Sequence, residues 1–147
     1  MKPIGVIHSP YKVRGDAPFQ GRHQDDLSTL EVFEEFEPGL KDIERCSHLI
    51  VLYLQHRGDR DRLRTKTPWG PEIRGVFATR SPNRPNLIGL CTVKLVERSG
   101  RLVTVKWLDA LDGSPLLDIK PYSPNVDSVP DAEIGWHRER DIKRREG

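Results

Sequence analysis

Short extended segments, each stopped by proline, glycine or asparagine turn chemistry, follow one another along this chain with no long helix between them. That spacing restricts it to an all-β or β-rich barrel. Ile4–His8 is β-branched and ends at Ser9-Pro10, where proline cannot donate to a strand ladder. Thr29–Phe36 alternates, with Leu30, Val32 and Phe36 on one side and Glu31, Phe33 and Glu35 on the other, the period of a half-buried strand. Pro38–Arg45 fits one short helix with Leu40 and Ile43 facing inward. Leu49–Leu54, LIVLYL, is continuously apolar and predicts a central strand covered on both faces. Ile88–Val96 and Arg101–Leu108 predict a hairpin joined by Glu97-Arg98-Ser99-Gly100, with glycine where positive φ is expected. Leu116–Ile119 adds a further short strand.

The chain has 147 residues, the size of one domain with one proper core, and shows neither an internal repeat nor an interdomain linker. We expect a single domain over 1–147, its core within about 1–130 and a basic tail over 131–147. Hydrophobic residues at 35% and charged residues at 31% describe a compact domain with a heavily charged surface. A net charge of +2 gives no argument for nucleic acid from composition alone, although arginine, whose planar fork suits phosphate and carboxylate, outnumbers lysine. Cys46 and Cys91 form no CxxC pair, which predicts two buried thiols in a reducing compartment. The N-terminal segment lacks the apolar stretch of a signal peptide, and no apolar run has bilayer-spanning length, so a cytoplasmic location without membrane contact is expected.

Several chemistries find no sequence support. There is no G-x-G-x-x-G, P-loop, HExxH or G-x-S-x-G, and the five histidines show no metal-ligand spacing, so no metal is expected. Two segments stand out instead. In RGVFATRSPNRPNLIGL, residues 74–90, Gly75–Thr79 starts as a strand and then two prolines pre-shape a loop carrying Arg80, Asn83, Arg84 and Asn86. Such a loop either forms an ordinary surface connection or clamps a ligand, with Arg80 or Arg84 on an anion and asparagine amides on a base edge. Gly89 follows, where the backbone turns or something approaches it closely. In LDGSPLLDIKPYSPNVDS, residues 111–128, Asp112-Gly113 and Ser114-Pro115 set turns that can offer backbone groups to a purine edge, and Lys120, Tyr122 and Asn125 project beyond. Gln55 and His56 end the most hydrophobic strand, where barrels place ligand contacts.

GVFATRSPNRPN followed by IGL, and DGSPLLDIKPYSP further on, closely resemble the two signature blocks of the TrmO family, also called YaeB-like or VirR-like. IGVIHSPY with the later PFQ resembles the family's opening block, and SHLIVLYLQH its central strand, so the resemblance spans Ile4 to Asp127. It implies an S-adenosylmethionine-dependent methyltransferase on an antiparallel β-barrel, working as a homodimer. Its implied substrate is tRNA, methylated on the exocyclic nitrogen of threonylcarbamoyladenosine beside the anticodon. Carried over position by position, cofactor contacts fall at Gln20, Gly21, Gln55, His56, Arg80, Gly89, Leu111, Asp112, Gly113, Ser114 and Pro115. Substrate contacts are expected at Arg84, Asn86, Lys120 and Tyr122. Where family members commonly read PNP, this chain has Asn86-Leu87.

Methyl transfer from a sulfonium is an in-line displacement, so most of the rate comes from positioning. Arg80 suits the cofactor carboxylate, and the nitrogen nucleophile must lose a proton, for which Asp118, His56 or a substrate oxygen are candidates. Three alternatives stay open: a non-catalytic RNA-binding barrel, a methyltransferase of the same family acting on a small molecule or another RNA position, and a structural or adaptor domain with no ligand.

Overall fold

A computed structural model describes residues 1–13, 25–68 and 70–137. Eight strands follow in order: β1 (Gly5–His8), β2 (Leu27–Val32), β3 (His48–Leu54), β4 (Arg64–Lys66), β5 (Ile73–Gly75), β6 (Ile88–Ser99), β7 (Leu102–Lys106) and β8 (Pro115–Pro121). Six of them close a barrel in the order β1-β2-β7-β6-β3-β8, with β8 pairing back onto β1 and every pair antiparallel. β4 and β5 form a separate two-stranded ribbon. Among the described residues the helical content is three 3₁₀ turns, a four-residue helix, α1 (Pro124–Asp127), and helical residues at 135–137.

Alternation in the sequence becomes inside and outside of the barrel. Ile7, Leu30, Val32, Leu49, Val51, Tyr53, Cys91, Val93, Val103, Val105 and Leu116 fill the interior. β3 has both edges paired, as its apolar run suggests, but only Leu49, Val51 and Tyr53 are buried. Ile50, Leu52 and Leu54 face outward and are half-buried, so full cover on both faces is corrected. β6 is twelve residues long because it serves two neighbours: its first half pairs with β3 and its second with β7. Register shifts between Leu95 and Glu97 and between Leu52 and Tyr53 bend the wall, as bulges do.

Several boundaries differ from those read in the sequence. β2 stops at Val32, and residues 34–40 wind into a 3₁₀ turn that buries Leu40, so Phe33, Glu35 and Phe36 are not strand positions. The single helix over 38–45 is two 3₁₀ pieces, Glu34–Leu40 and Ile43–Arg45, parted by Asp42 in the left-handed region at φ 73°. After Gly75 the chain turns through Val76–Ala78 instead of continuing as a strand. The β6–β7 hairpin is tighter than expected: Glu97, Arg98 and Ser99 belong to the ladder, and Gly100 turns at φ 60°. The basic tail beyond 137, and Gln20 and Gly21, lie outside the described residues.

Antiparallel closure collects loops at the two barrel ends. At one end stand residues 9–13 after β1, 25–26 before β2, 55–63 after β3, 76–87 before β6 and 107–114 between β7 and β8. Trp107, its ring 5.4 Å from that of His48, lies in the left-handed region at φ 78°, rare for a bulky residue. Its twist ends β7 and sends Leu108 and Ala110 back into the core.

Candidate functional site

The loop that carries Arg80 and Arg84 shapes itself. Thr79 Oγ1 donates to Val76 O at 3.0 Å, Ser81 N to Thr79 Oγ1 at 3.2 Å, and Asn83 N to Ser81 Oγ at 3.2 Å. These successive hydroxyl-capped turns fix a proline-stiffened loop. Arg84 completes it: Nη1 donates to Thr79 O at 3.0 Å and Ser81 O at 3.2 Å. Arg84 thus braces its own loop through Nη1. Arg80 projects from the same loop and is exposed.

This loop is bolted to the turn after β3. Gln55 N donates to Leu87 O at 2.6 Å, and Asp59 N donates to Asn83 Oδ1 at 2.9 Å. A β-carbon on Gly58 would lie 2.2 Å from Pro82 O, so the two backbones touch because residue 58 is glycine. Asn86 and His56 are exposed beside this junction.

The Leu111–Pro115 turn is likewise tied down. Gly113 adopts φ 82°, Asp112 N donates to Tyr11 O at 2.7 Å, Gly113 N to Ile7 O at 2.8 Å, and Ser114 N to Leu111 O at 3.1 Å. Those amides are engaged within the protein and are not open to a purine edge, which corrects that expectation for residues 112–114. The Asp112 carboxylate accepts from Ser9 N at 2.9 Å and pairs with Lys12 at 2.8 Å. Lys12 first, then the Ser9 amide, hold its carboxyl below the usual range.

Between these loops lies a pair that the sequence did not announce. Tyr53, 3% exposed, donates its hydroxyl to Asp109 Oδ1 at 2.6 Å. Burial, then the charge of Asp109, drives the phenol far up, so it remains a donor. Burial also raises the Asp109 carboxyl, against the Tyr53 hydrogen bond and the more distant charge of Arg80. Gln55 lies beside the Tyr53 hydroxyl, and Cys91 donates to Trp107 O at 3.1 Å underneath. Tyr11, also buried, donates to Asp26 Oδ2 at 2.9 Å; burial first and Asp26 second push it up to about 12. In the sequence Tyr53 stands out only as part of the apolar run LIVLYL. The available signal was an acid inside an apolar stretch, Trp107-Leu108-Asp109-Ala110-Leu111.

The structure thus brings Gln55, His56, Arg80, Arg84, Asn86, Gly89 and Leu111–Pro115 to one barrel end. It does not bring Lys120 and Tyr122 there. Tyr122 N donates to His48 O at the start of β3, about seven strand residues or ~20 Å from Gln55. Asp118 sits on the outer wall opposite Leu52, with its oxygens engaged by Ile119 N at 2.9 Å and Lys120 Nζ at 3.5 Å. Among the described residues no helix is long and apolar enough to cross a membrane, and no group of three or more His, Cys, Asp or Glu could hold a metal ion.

A small closed barrel that gathers stiff, mutually bonded polar loops around a buried carboxylate at one end is a ligand-binding β-barrel. The profile of the family described as tRNA-methyltransferase O N-terminal domain matches residues 6–128, and the chain belongs to that family. It is 55% identical over 139 residues to a probable S-adenosyl-L-methionine-binding protein of Archaeoglobus fulgidus, covering 95% of this chain and 38% of that one. It is 36% identical over 144 residues to the tRNA (adenine(37)-N6)-methyltransferase of Escherichia coli, covering 90% of this chain and 61% of the relative. The crystal structure of TrmO from Pseudomonas aeruginosa superimposes with a TM-score of 0.74 at 35% identity, over 90% of this chain and 60% of that one. The chain therefore spans 38%, 61% and 60% of these three proteins' own length, less than two thirds of each.

Proposed function

We propose that this domain binds S-adenosylmethionine at the barrel end described above and serves methyl transfer to the exocyclic nitrogen of an adenosine in tRNA, with threonylcarbamoyladenosine beside the anticodon as the substrate. The observation that supports it most is the convergence of Gln55, Arg80, Asp109 and the 111–115 turn at one end of a barrel of this family.

The residues fit the cofactor: an exposed arginine and a partly buried carboxylate at the same barrel end suit a group carrying both charges. When bound, S-adenosylmethionine supplies an electrophilic methyl group. Arg80 holds the cofactor carboxylate, and the rigid 80–87 and 111–115 loops fix orientation, from which most of the rate derives. Of the two side-chain proton acceptors considered, His56 lies at this end, whereas the Asp118 oxygens are engaged on the outer wall. Exposed Arg57, Arg60, Arg62, Arg64 and Lys66, interleaved with Asp59 and Asp61, give residues 57–66 a net positive charge suited to RNA phosphates.

A homodimer is part of the proposal. Ile88 and Leu90 stand exposed on the outer wall of β6, next to half-buried Leu52 and Leu54 of β3. Light scattering of the purified chain should give twice the monomer mass.

The test is transfer of radiolabelled methyl from S-adenosylmethionine to threonine tRNA carrying the threonylcarbamoyl group, beside an unmodified transcript. Label on the modified tRNA alone supports the proposal. Label on neither, with cofactor bound, would move the substrate to a different RNA position or small molecule. RNA binding without cofactor binding would favour the non-catalytic barrel.

A further inference from the structure

We propose that Asp109, held in place by Tyr53, binds the α-ammonium group of the cofactor's methionine portion, beside the carboxylate held by Arg80. The inference rests on the cofactor named above and assigns a side chain to the positively charged group of its methionine portion.

An α-amino acid carries opposite charges one carbon apart, so its receptor needs a fixed cation and a fixed anion side by side. Arg80 and Asp109 provide that pair: both lie at the same barrel end, and the guanidinium acts electrostatically on the carboxylate. Three of the other acids at this end have partners of their own. Asp112 is taken by the Ser9 amide and Lys12, Asp26 accepts from Tyr11, and Asp59 accepts from Asp61 N and faces Arg62. Asp109 accepts instead from neutral groups: the Tyr53 phenol on Oδ1, its own backbone amide and the Cys91 thiol. Among the described residues no ion pair within 4 Å compensates its charge.

The position of the carboxylate is set by the core. Tyr53 is buried, pairs in register with Gly89 and Leu116, and reaches Asp109 with a short hydrogen bond. Trp107 turns the chain into that position through its left-handed backbone. A carboxylate withdrawn from water but only partly covered, with a rigid donor behind it, is pre-organised for a cation.

Calorimetric titration of the full chain and of Asp109→Asn with three ligands decides the matter. S-adenosylmethionine has a charged sulfur and the ammonium, S-adenosylhomocysteine has the ammonium alone, and methylthioadenosine has neither. The expected result is a loss of roughly 10- to 100-fold for the first two, the worth of one charge-assisted bond, and less than twofold for methylthioadenosine. Unchanged affinity for S-adenosylmethionine in the variant overturns the assignment while leaving the cofactor in place. A loss confined to S-adenosylmethionine puts the carboxylate at the sulfur and overturns it too. Equal losses for all three ligands mean a structural role. Should the variant not fold, deaminated S-adenosylhomocysteine on the wild-type chain answers the same question: it must bind weaker than its parent by the same factor, and equal affinity overturns the proposal. A wild-type chain that binds no S-adenosylmethionine overturns this assignment and the cofactor together.

Discussion

The ring of Tyr53 occupies the space that a side chain on Gly89 would fill: a β-carbon there would lie 2.5 Å from Cζ and 2.8 and 2.9 Å from the two Cε atoms. The two residues face each other across β3 and β6, so the missing side chain on one strand lets the phenol of the other cross it to reach Asp109. The glycine of the signature block thus acts on the barrel end through Tyr53.

Gly89→Ala should therefore destabilise the protein by about 1–3 kcal/mol, the usual cost of over-packing a filled interior. It should also weaken S-adenosylmethionine binding, because the displaced ring carries its hydroxyl away from Asp109. Urea unfolding and calorimetry measure the two effects. A variant with full stability would show that the ring moves aside without cost.

Affinity for S-adenosylmethionine should fall as pH drops through the Asp109 ionisation, which burial places above the ordinary carboxylate range of about 3.9. The sign follows from charge, since only the ionised group attracts ammonium. Stability of the ligand-free protein runs the other way. A raised carboxyl makes the native state bind more protons than the unfolded chain, so this contribution is full below about pH 3.9 and is lost as pH rises through the folded value. Asp109→Asn should flatten both dependences. The other groups facing Asp109 are Tyr53, Cys91, Arg80 and Tyr11. The two phenols titrate well above this window, and the guanidinium keeps its charge throughout.

The two arginines of the 80–87 loop should separate cleanly. Arg80→Ala should weaken S-adenosylmethionine by about a hundredfold through loss of a charge-assisted contact. Arg84→Ala removes the donor to Thr79 O and Ser81 O, so its first effect should be faster amide exchange across residues 79–87. Equal, purely local effects of both would remove Arg80 from the cofactor site.

Ser28 lies inside the barrel, 2% exposed, with a hydroxyl that has no hydrogen-bond partner among the described residues. Ser28→Ala should leave stability unchanged or raise it by up to about 1 kcal/mol, because an unsatisfied buried hydroxyl is exchanged for a methyl. A loss larger than that in thermal melting would mean the hydroxyl is satisfied in solution.

The barrel was legible because its signal is local. Alternation at Leu30 and Val32, the apolar run of β3 and the glycine at 100 each act within a few residues. The signature loops were legible through the prolines that stiffen them. The failures concern interactions across the fold. Arg84 looks like Arg80 in sequence, and only the folded loop turns it onto its own carbonyls. The 112–114 amides are engaged by residues 7 and 11, about a hundred positions away, and by Leu111 within the turn. Asp109 gains its character from a tyrosine 56 positions earlier. Lys120 and Tyr122 were grouped with the 111–115 turn by sequence proximity, yet β8 carries them to the far end of the barrel.

The hydrogen bond from Ser9 N to Asp112 spans 103 positions, and Gly113 N to Ile7 O seals the same corner between β1 and the approach to β8. Loop closure over that distance is entropically costly, and contacts of such sequence separation slow folding. The recognition end is accordingly a product of the final closing of the chain upon itself. A fragment that keeps both signature blocks but omits the first strand should have no affinity for the cofactor. Ligand added during refolding should not speed the reaction, but should slow unfolding once the corner is sealed. The first strand, which contributes none of the recognised site residues, thereby decides whether there is a site at all.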